Sequence, residues 1–266
     1  KLVNSNGGDW GYVLIPYNVK DRDYTKWKQV FDNLNSKHLI PIIQLWDVDT
    51  VKYKGDTKES ASFLNRFLWP VKERYISVYN EPNDDKFWKG NAKNYAQILN
   101  YTIDTFKQEN PNFFMLNGAL NASAPNGSGY INPLSFVYQM NQEVPGIFTK
   151  LDGWASHPYP QPNFAGNPYD TGLWSIKAYE NELNYLKTTL GVNKDLPVFI
   201  TETGWPHAEG NPYNGSYFNT QEVAQNYQTA YENIWLKDNR VRAVTPFTIL
   251  YNPPYDHFSW VNSDGV

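Results

Sequence analysis

Glu81 closes the run Tyr75-Ile-Ser-Val-Tyr-Asn-Glu-Pro82, and Glu202 closes Pro197-Val-Phe-Ile-Thr-Glu-Thr-Gly-Trp205. Each carboxylate follows a strand-like apolar stretch and precedes a turn residue. A lone Glu before a turn is usually a solvated surface charge or a cap. Two of them at strand ends offer specific chemistry. A protonated carboxyl on one side of a glycosidic bond can hand its proton to the leaving oxygen. An ionised one about 5–5.5 Å away can attack the anomeric carbon. Their environments must then differ: a carboxyl facing another carboxylate in a partly desolvated cleft is held protonated, and its partner stays charged through hydrogen bonds, with Tyr159 and His157 as candidate donors.

Residues 121 apart in the chain meet only if the fold brings strand ends together, as the mouth of an α/β barrel does. Trp10 to Pro16 and Leu39 to Trp46 are short, nearly continuous apolar runs that suit parallel strands buried on both faces. Tyr75 to Glu81, Phe113 to Asn117, Leu151 to His157, Pro197 to Glu202 and Val244 to Leu250 supply further strands. Between them lie helical spacings: Trp27, Val30, Phe31 and Leu34, then Tyr95, Ile98, Leu99, Thr102, Ile103 and Phe106. Further helices are predicted over Ile176 to Leu190 and Val223 to Trp235, the latter opened by an Asn219 or Thr220 cap with Glu222 behind it.

Repeated β-α units imply a parallel α/β architecture, and a (β/α)8 TIM barrel is the expected fold. Seven strands are one short of closure. The opening Leu2 to Gly7 reads as a helix tail ended by glycine. Strand one and most of helix one are therefore expected upstream of Lys1, and part of the final helix beyond Val266. The chain is read as a single catalytic domain over residues 1–266, truncated at both ends. An open doubly wound sheet is the alternative, but its glycine-rich phosphate turn has no match here.

The 266 residues, 41% of them apolar, suffice for one sizeable core. A net charge of −4 with scattered Lys and Arg argues against nucleic acid as a partner. No apolar run reaches the roughly 20 residues of a membrane span, and the start lacks a signal peptide's pattern. With no cysteine, disulfides and thiolate chemistry are excluded. Asn100, Asn121, Asn126 and Asn214 each begin an Asn-x-Ser/Thr tripeptide. A secreted or extracytoplasmic location is favoured. His38, His157, His207 and His257 are too far apart for a histidine metal motif, and Gly127-Ser-Gly129 is not a nucleophile elbow. Neither metal nor cofactor is expected. The aromatic share is 17%, with 10 Trp and 20 Tyr, well suited to stacking on sugar faces as well as to packing a core.

Asn80-Glu81-Pro82, Ser156-His-Pro-Tyr159 and Thr201-Glu-Thr-Gly-Trp205, in this order at strand ends, resemble the clan A retaining β-glycosidases. The segments are similar to those of families 39 and 5, and Glu202-Thr-Gly-Trp-Pro206 to the nucleophile segment of family 17 β-1,3-glucanases. The resemblance implies Glu81 as general acid/base, Glu202 as nucleophile and Asn80 as donor to a sugar 2-hydroxyl. It also implies that His157 and Tyr159 orient the nucleophile or touch substrate. Trp46, Trp205, Tyr251 and Trp260, near strand ends, are candidate stacking residues. The clan's tryptophan after strand eight is replaced here by Leu250-Tyr251-Asn252, leaving Tyr251 or Trp260 as the floor of the subsite. Long loops over Asn121 to Asn132 and Pro158 to Trp174 suit an extended groove. The expectation is endo-action on a β-linked oligo- or polysaccharide. An exo-acting β-glycosidase, a transglycosylase and a non-catalytic sugar-binding barrel are the alternatives.

Overall fold

The computed structural model describes residues 9–261. The expected helix tail at the start of the chain, like the ending at residues 262–266, lies outside these. Among the described residues, eight strands form two four-stranded parallel sheets. The first runs β1 (Gly11–Asn18), β2 (Leu39–Trp46), β3 (Arg74–Val78) and β4 (Phe113–Asn117) in spatial order. The second runs β5 (Leu120–Asn121), β6 (Trp154–His157), β7 (Val198–Ile200) and β8 (Val241–Val244). Neighbours in space are neighbours in sequence throughout. A doubly wound sheet would reverse its strand order at a switch point, so the alternative topology is not the one adopted.

Helices return the chain between parallel strands: α1 (Tyr24–Ser36), α2 (Tyr53–Asn65), α3 (Ala92–Glu109), α4 (Pro133–Glu143), α5 (Ala178–Thr188) and α6 (Thr220–Asn233). The predicted start signal of α6 is used. Asn219 accepts from the Glu222 amide while the Glu222 carboxylate accepts from the Asn219 amide, a reciprocal cap at the start of α6. Asp23, Asn91 and Asn132 cap α1, α3 and α4 with their side chains.

Alternation along the strands sorts side chains into two layers. Ile76 and Val78 of β3 face outward into the large core beneath α1 to α4, while Tyr75 faces inward. There it joins Ile42, Leu116, Ala155, Phe199 and Ala243 in a cluster that draws on both sheets. Tyr75, Phe114 and Phe199 pack ring to ring at 5.1–5.6 Å. On one side the sheets are stitched by the parallel bridge Leu116–Gly153 and by the Asp152 amide donating to Met115 O at 2.9 Å. Glycine is needed at that seam: a Cβ on Gly153 would lie 2.9 Å from Leu116, Phe199 and the Pro197 carbonyl. On the other side Arg242 Nε donates to the Tyr12 hydroxyl at 3.2 Å, and among the described residues β1 and β8 share no ladder.

Two sequence expectations need correction. The last strand is Val241–Val244, not the apolar run from Val244 to Leu250, because Thr245 to Leu250 turn away into a loop in which Ile249 and Leu250 are half exposed. The two-residue β5, Leu120–Asn121, has no counterpart in the sequence reading because it is too short to leave a periodic signal.

Candidate active site

The exit of β3 is built under strain. Tyr79 (φ 72°) and Glu81 (φ 35°) flank Asn80 with positive φ, a conformation non-glycine residues avoid and one that clusters where geometry is over-determined. The surroundings hold it. The Glu81 amide donates to Ala119 O at 3.0 Å, and Asn83 Nδ2 donates to the carbonyls of Asn121 and Ile131 while Asn83 Oδ1 accepts from the Asn121 amide. Glu81 is thereby carried inward and left 8% exposed.

The exit of β7 is tied to that of β6. The Thr201 amide donates to Ser156 O at 3.2 Å, and the Thr203 hydroxyl donates to Pro158 O at 2.9 Å. This register puts Glu202 beside His157 and Tyr159.

His157 is the meeting point. Its Nδ1 lies 3.0 Å from Glu81 Oε1 and 3.8 Å from Glu202 Oε2, and its ring is wholly buried. Glu81 Oε1 and Glu202 Oε2 are therefore no farther apart than these distances laid end to end. The Tyr159 hydroxyl donates to Glu202 Oε2 at 3.0 Å. Four of the sequence-predicted residues, Glu81, Glu202, His157 and Tyr159, thus form one cluster contributed by both sheets, in which two hydrogen-bonded pairs, His157 with Glu81 and Tyr159 with Glu202, are joined by the 3.8 Å contact of His157 with Glu202.

Burial penalises charge here, and charges oppose it. Desolvation alone would push the His157 imidazolium down. Glu202 and then Glu81 outweigh it, so the His157 pKa is raised. Burial raises the pKa of Glu202, the Glu81 charge adds to the rise, and His157 and the Tyr159 hydroxyl work against it. Burial, with Glu202 and Glu81 behind it, holds Tyr159 far above the usual phenol range, so it stays a donor. The arrangement can keep one proton between two carboxylates and hold the other charge in place.

Asn80 is 6% exposed and its orientation is set by a relay that the sequence did not reveal. Trp46 Nε1 donates to Gln44 Oε1 at 2.7 Å, and Gln44 Nε2 donates to Asn80 Oδ1 at 3.0 Å. Gln44 stands alone as the polar residue inside the apolar run of β2, and that was the available signal. Asp84 was also missed. It is buried, its pKa is raised by desolvation and by Glu81, and its carboxylate accepts from the Lys86 amide.

The remaining predicted aromatics divide. Trp46 sits half-buried at the end of β2, edge-on to Phe87. Tyr251 is half exposed and joins the ring series Tyr159, Phe258, Phe247, Tyr251 that leads outward from Glu202. Trp205 is different from expectation. It is 1% exposed, donates Nε1 to Gly166 O and packs on Tyr227 within the outer core, so it has no open face for a sugar. Trp260 packs edge-on against Tyr227 at 5.1 Å. Phe247, not Tyr251, is the first aromatic after the true end of β8.

The fold is one that clan A-like glycoside hydrolases use. No family model and no curated protein matches the sequence. Solved structures do. The GH128 (subgroup II) endo-β-1,3-glucanase of Sorangium cellulosum matches over 99% of this chain and 88% of its own, with TM-score 0.61 at 16% identity. The GH128 (subgroup II) endo-β-1,3-glucanase of Pseudomonas viridiflava gives TM-score 0.60 at 16% identity, over 99% and 87%. A GH39 β-xylosidase of Caulobacter crescentus gives TM-score 0.58 at 15% identity, over 96% of this chain and 61% of that one. At such identities the likeness is one of fold.

Proposed function

We propose that the chain is a retaining glycoside hydrolase with a (β/α)8-type catalytic domain, acting in endo fashion on a β-linked glucan. The observation that carries this reading is the single imidazole nitrogen, His157 Nδ1, set against an oxygen of Glu81 and an oxygen of Glu202. Glu202 attacks the anomeric carbon as Glu81 delivers its proton to the leaving oxygen, and the glycosidic C–O bond breaks. Water then attacks the glycosyl-enzyme ester, Glu81 takes the proton, and Glu202 leaves as carboxylate. The Tyr159 hydroxyl stabilises the Glu202 charge at both ends of the cycle. Asn80, its carbonyl engaged by Gln44, turns its amide hydrogens to the sugar 2-hydroxyl. A non-catalytic sugar-binding barrel would need neither a proton donor nor an opposed nucleophile.

The fold neighbours named endo-β-1,3-glucanases make β-1,3-glucan the first substrate to test. With it and a panel of β-1,4-glucans, mannans and xylans, we expect Glu81→Gln and Glu202→Gln each to lose at least about 10³-fold in kcat. Proton NMR of the first product should show the β-anomer. Unchanged turnover in the variants would remove the assignment, and an α-anomer would replace retention by inversion.

A further inference from the structure

Helix α5 sets a carboxyl behind the site that the proposed reaction does not use. Glu182 is 2% exposed, its Oε2 accepts from Trp154 Nε1 at 2.7 Å, and its Oε1 is buried without a hydrogen-bond partner. With Oε2 already accepting, a proton on Glu182 belongs on Oε1. The Ser156 hydroxyl and His157 Nε2 are likewise buried and unpartnered. Strand alternation puts Trp154 and Ser156 on the outer side of β6, toward α5, and Ala155 and His157 on the inner side. Glu182 and the two catalytic carboxylates therefore act on His157 from opposite sides of one strand. Burial pushes the Glu182 pKa up to about 7, and Trp154, Ser156 and the His157 charge work against it. At His157 burial lowers the pKa, and Glu202, Glu81 and lastly Glu182 overcome it. The coupling is reciprocal. Among the described residues His157 supplies the one positive charge that acts on Glu182. Other charges on and against α5 are at the surface: Glu180 accepts from Arg240, Lys187 is exposed, and Glu143 of α4 accepts from Gln97 Nε2.

His157 Nδ1 and Glu81 Oε1 stand 3.0 Å apart, so one proton can rest on either. Moving it from Glu81 breaks an O–H bond, forms an N–H bond and leaves a carboxylate beside an imidazolium. On its Nε2 side that imidazolium has no hydrogen bond to hold it and depends on neighbouring charge. A further negative charge behind β6 therefore favours it. We propose that Glu182 is the positioning residue that decides where this proton rests: protonated, it leaves the proton on Glu81, where the acid step needs it, and ionised, it draws the proton to His157. The alkaline limb of the reaction then follows Glu182 from the far side of β6. The effect on rate rests on the hydrolase reading, whereas the coupling of Glu182 to His157 stands apart from it.

The test uses two neutral variants: Glu182→Gln, which keeps an acceptor for Trp154, and Glu182→Leu, which does not. Two quantities are followed between about pH 5 and pH 9: kcat/KM on β-1,3-glucan, or on the panel glycan that the native protein turns over, and the nitrogen NMR signals of the His157 ring, identified by their loss in His157→Asn. We expect the ratio of kcat/KM at about pH 8.5 to that at about pH 5 to rise roughly tenfold in both variants, and the His157 ring to give up its second proton at lower pH than in the native protein. A merely structural role would lower kcat/KM by the same factor at both pH values and leave the ratio alone. Should Glu182→Leu fail to fold, Glu182→Gln decides by itself. An unmoved ratio overturns the positioning role, as does a ratio that moves in Glu182→Leu alone, which assigns it to packing. An unmoved His157 titration overturns the coupling itself. No turnover of any glycan by the native protein, beside a His157 titration that does move, removes the hydrolase reading and the effect on rate with it, and upholds the coupling.

Discussion

Tyr159 isolates the electrostatics of the site in one hydroxyl. It donates to Glu202 Oε2, it is half-buried, and it works against the desolvation that raises the Glu202 pKa. A hydrogen bond to a charged group is worth about 1.5–3 kcal/mol, so Tyr159→Phe should lower kcat/KM by roughly 10- to 150-fold. The sign of the pH effect follows. Without the hydroxyl the Glu202 pKa moves further up, and on the proposed role of Glu202 as a nucleophile that reacts ionised, the acid limb of the kcat/KM profile should move to higher pH. A pH–rate profile with an unmoved acid limb would show that the phenol is only packing. The residues of this cluster were legible because each follows an apolar strand and precedes a turn. Gln44 and Asp84 were less so: their roles depend on which neighbour they meet across strands, and spacing along one strand does not report that.

Helix α5 lays a buried carboxyl against β6. Glu182 Oε2 accepts from Trp154 Nε1 at 2.7 Å, and its Oε1 is buried without a hydrogen-bond partner. Burial raises its pKa from 4.5 to about 7, with Trp154, Ser156 and His157 in opposition. The folded state therefore binds a proton that the unfolded chain releases above about pH 4.5, and stability falls from there until about pH 7, by on the order of 3 kcal/mol. The raised His157 acts in the same sense above its unfolded value of about 6.5. Denaturant unfolding at pH 5 and pH 8 should show the loss, and Glu182→Gln, which keeps an acceptor for Trp154, should remove most of it. An unchanged pH dependence in that variant would place the ionisation elsewhere. Elements with strong periodicity or caps, α1, α3 and α6 above all, could be read from the chain. Helix α2 could not, because its buried face includes Thr57, Ser60 and Ala61, small or polar residues that dilute a hydrophobic stripe. The last strand was displaced because Val241–Val244 carries the exposed Arg242, whereas the loop beyond it is apolar.

At the scale of the whole molecule, the carboxylates belong to different sheets, Glu81 to the one containing β3 and Glu202 to the one containing β7. Their separation is thus a property of how the sheets pack. The backbone seam at Leu116–Gly153 joins them on one side, and the inward cluster around Tyr75, Phe114 and Phe199 fills the space between. Phe199 is fully buried and touches Tyr12, Tyr75 and Phe114, so it draws on three strands of the opposite sheet. Phe199→Ala should cost about 3–5 kcal/mol through lost transfer free energy and the cavity left behind. A purely local loss would lower stability and leave kcat intact under conditions where the variant is still folded. Packed interiors transmit shape changes, however, and a displacement near 1 Å between reacting groups can cost about 10²-fold. We therefore expect Phe199→Ala to lose both stability and kcat at low temperature, and Phe199→Leu, which refills much of the volume, to recover the larger part of each. Denaturant unfolding beside kcat measured at 15 °C decides it: a destabilised but fully active Phe199→Ala would mean that the strand-exit hydrogen bonds alone hold the two carboxylates in register.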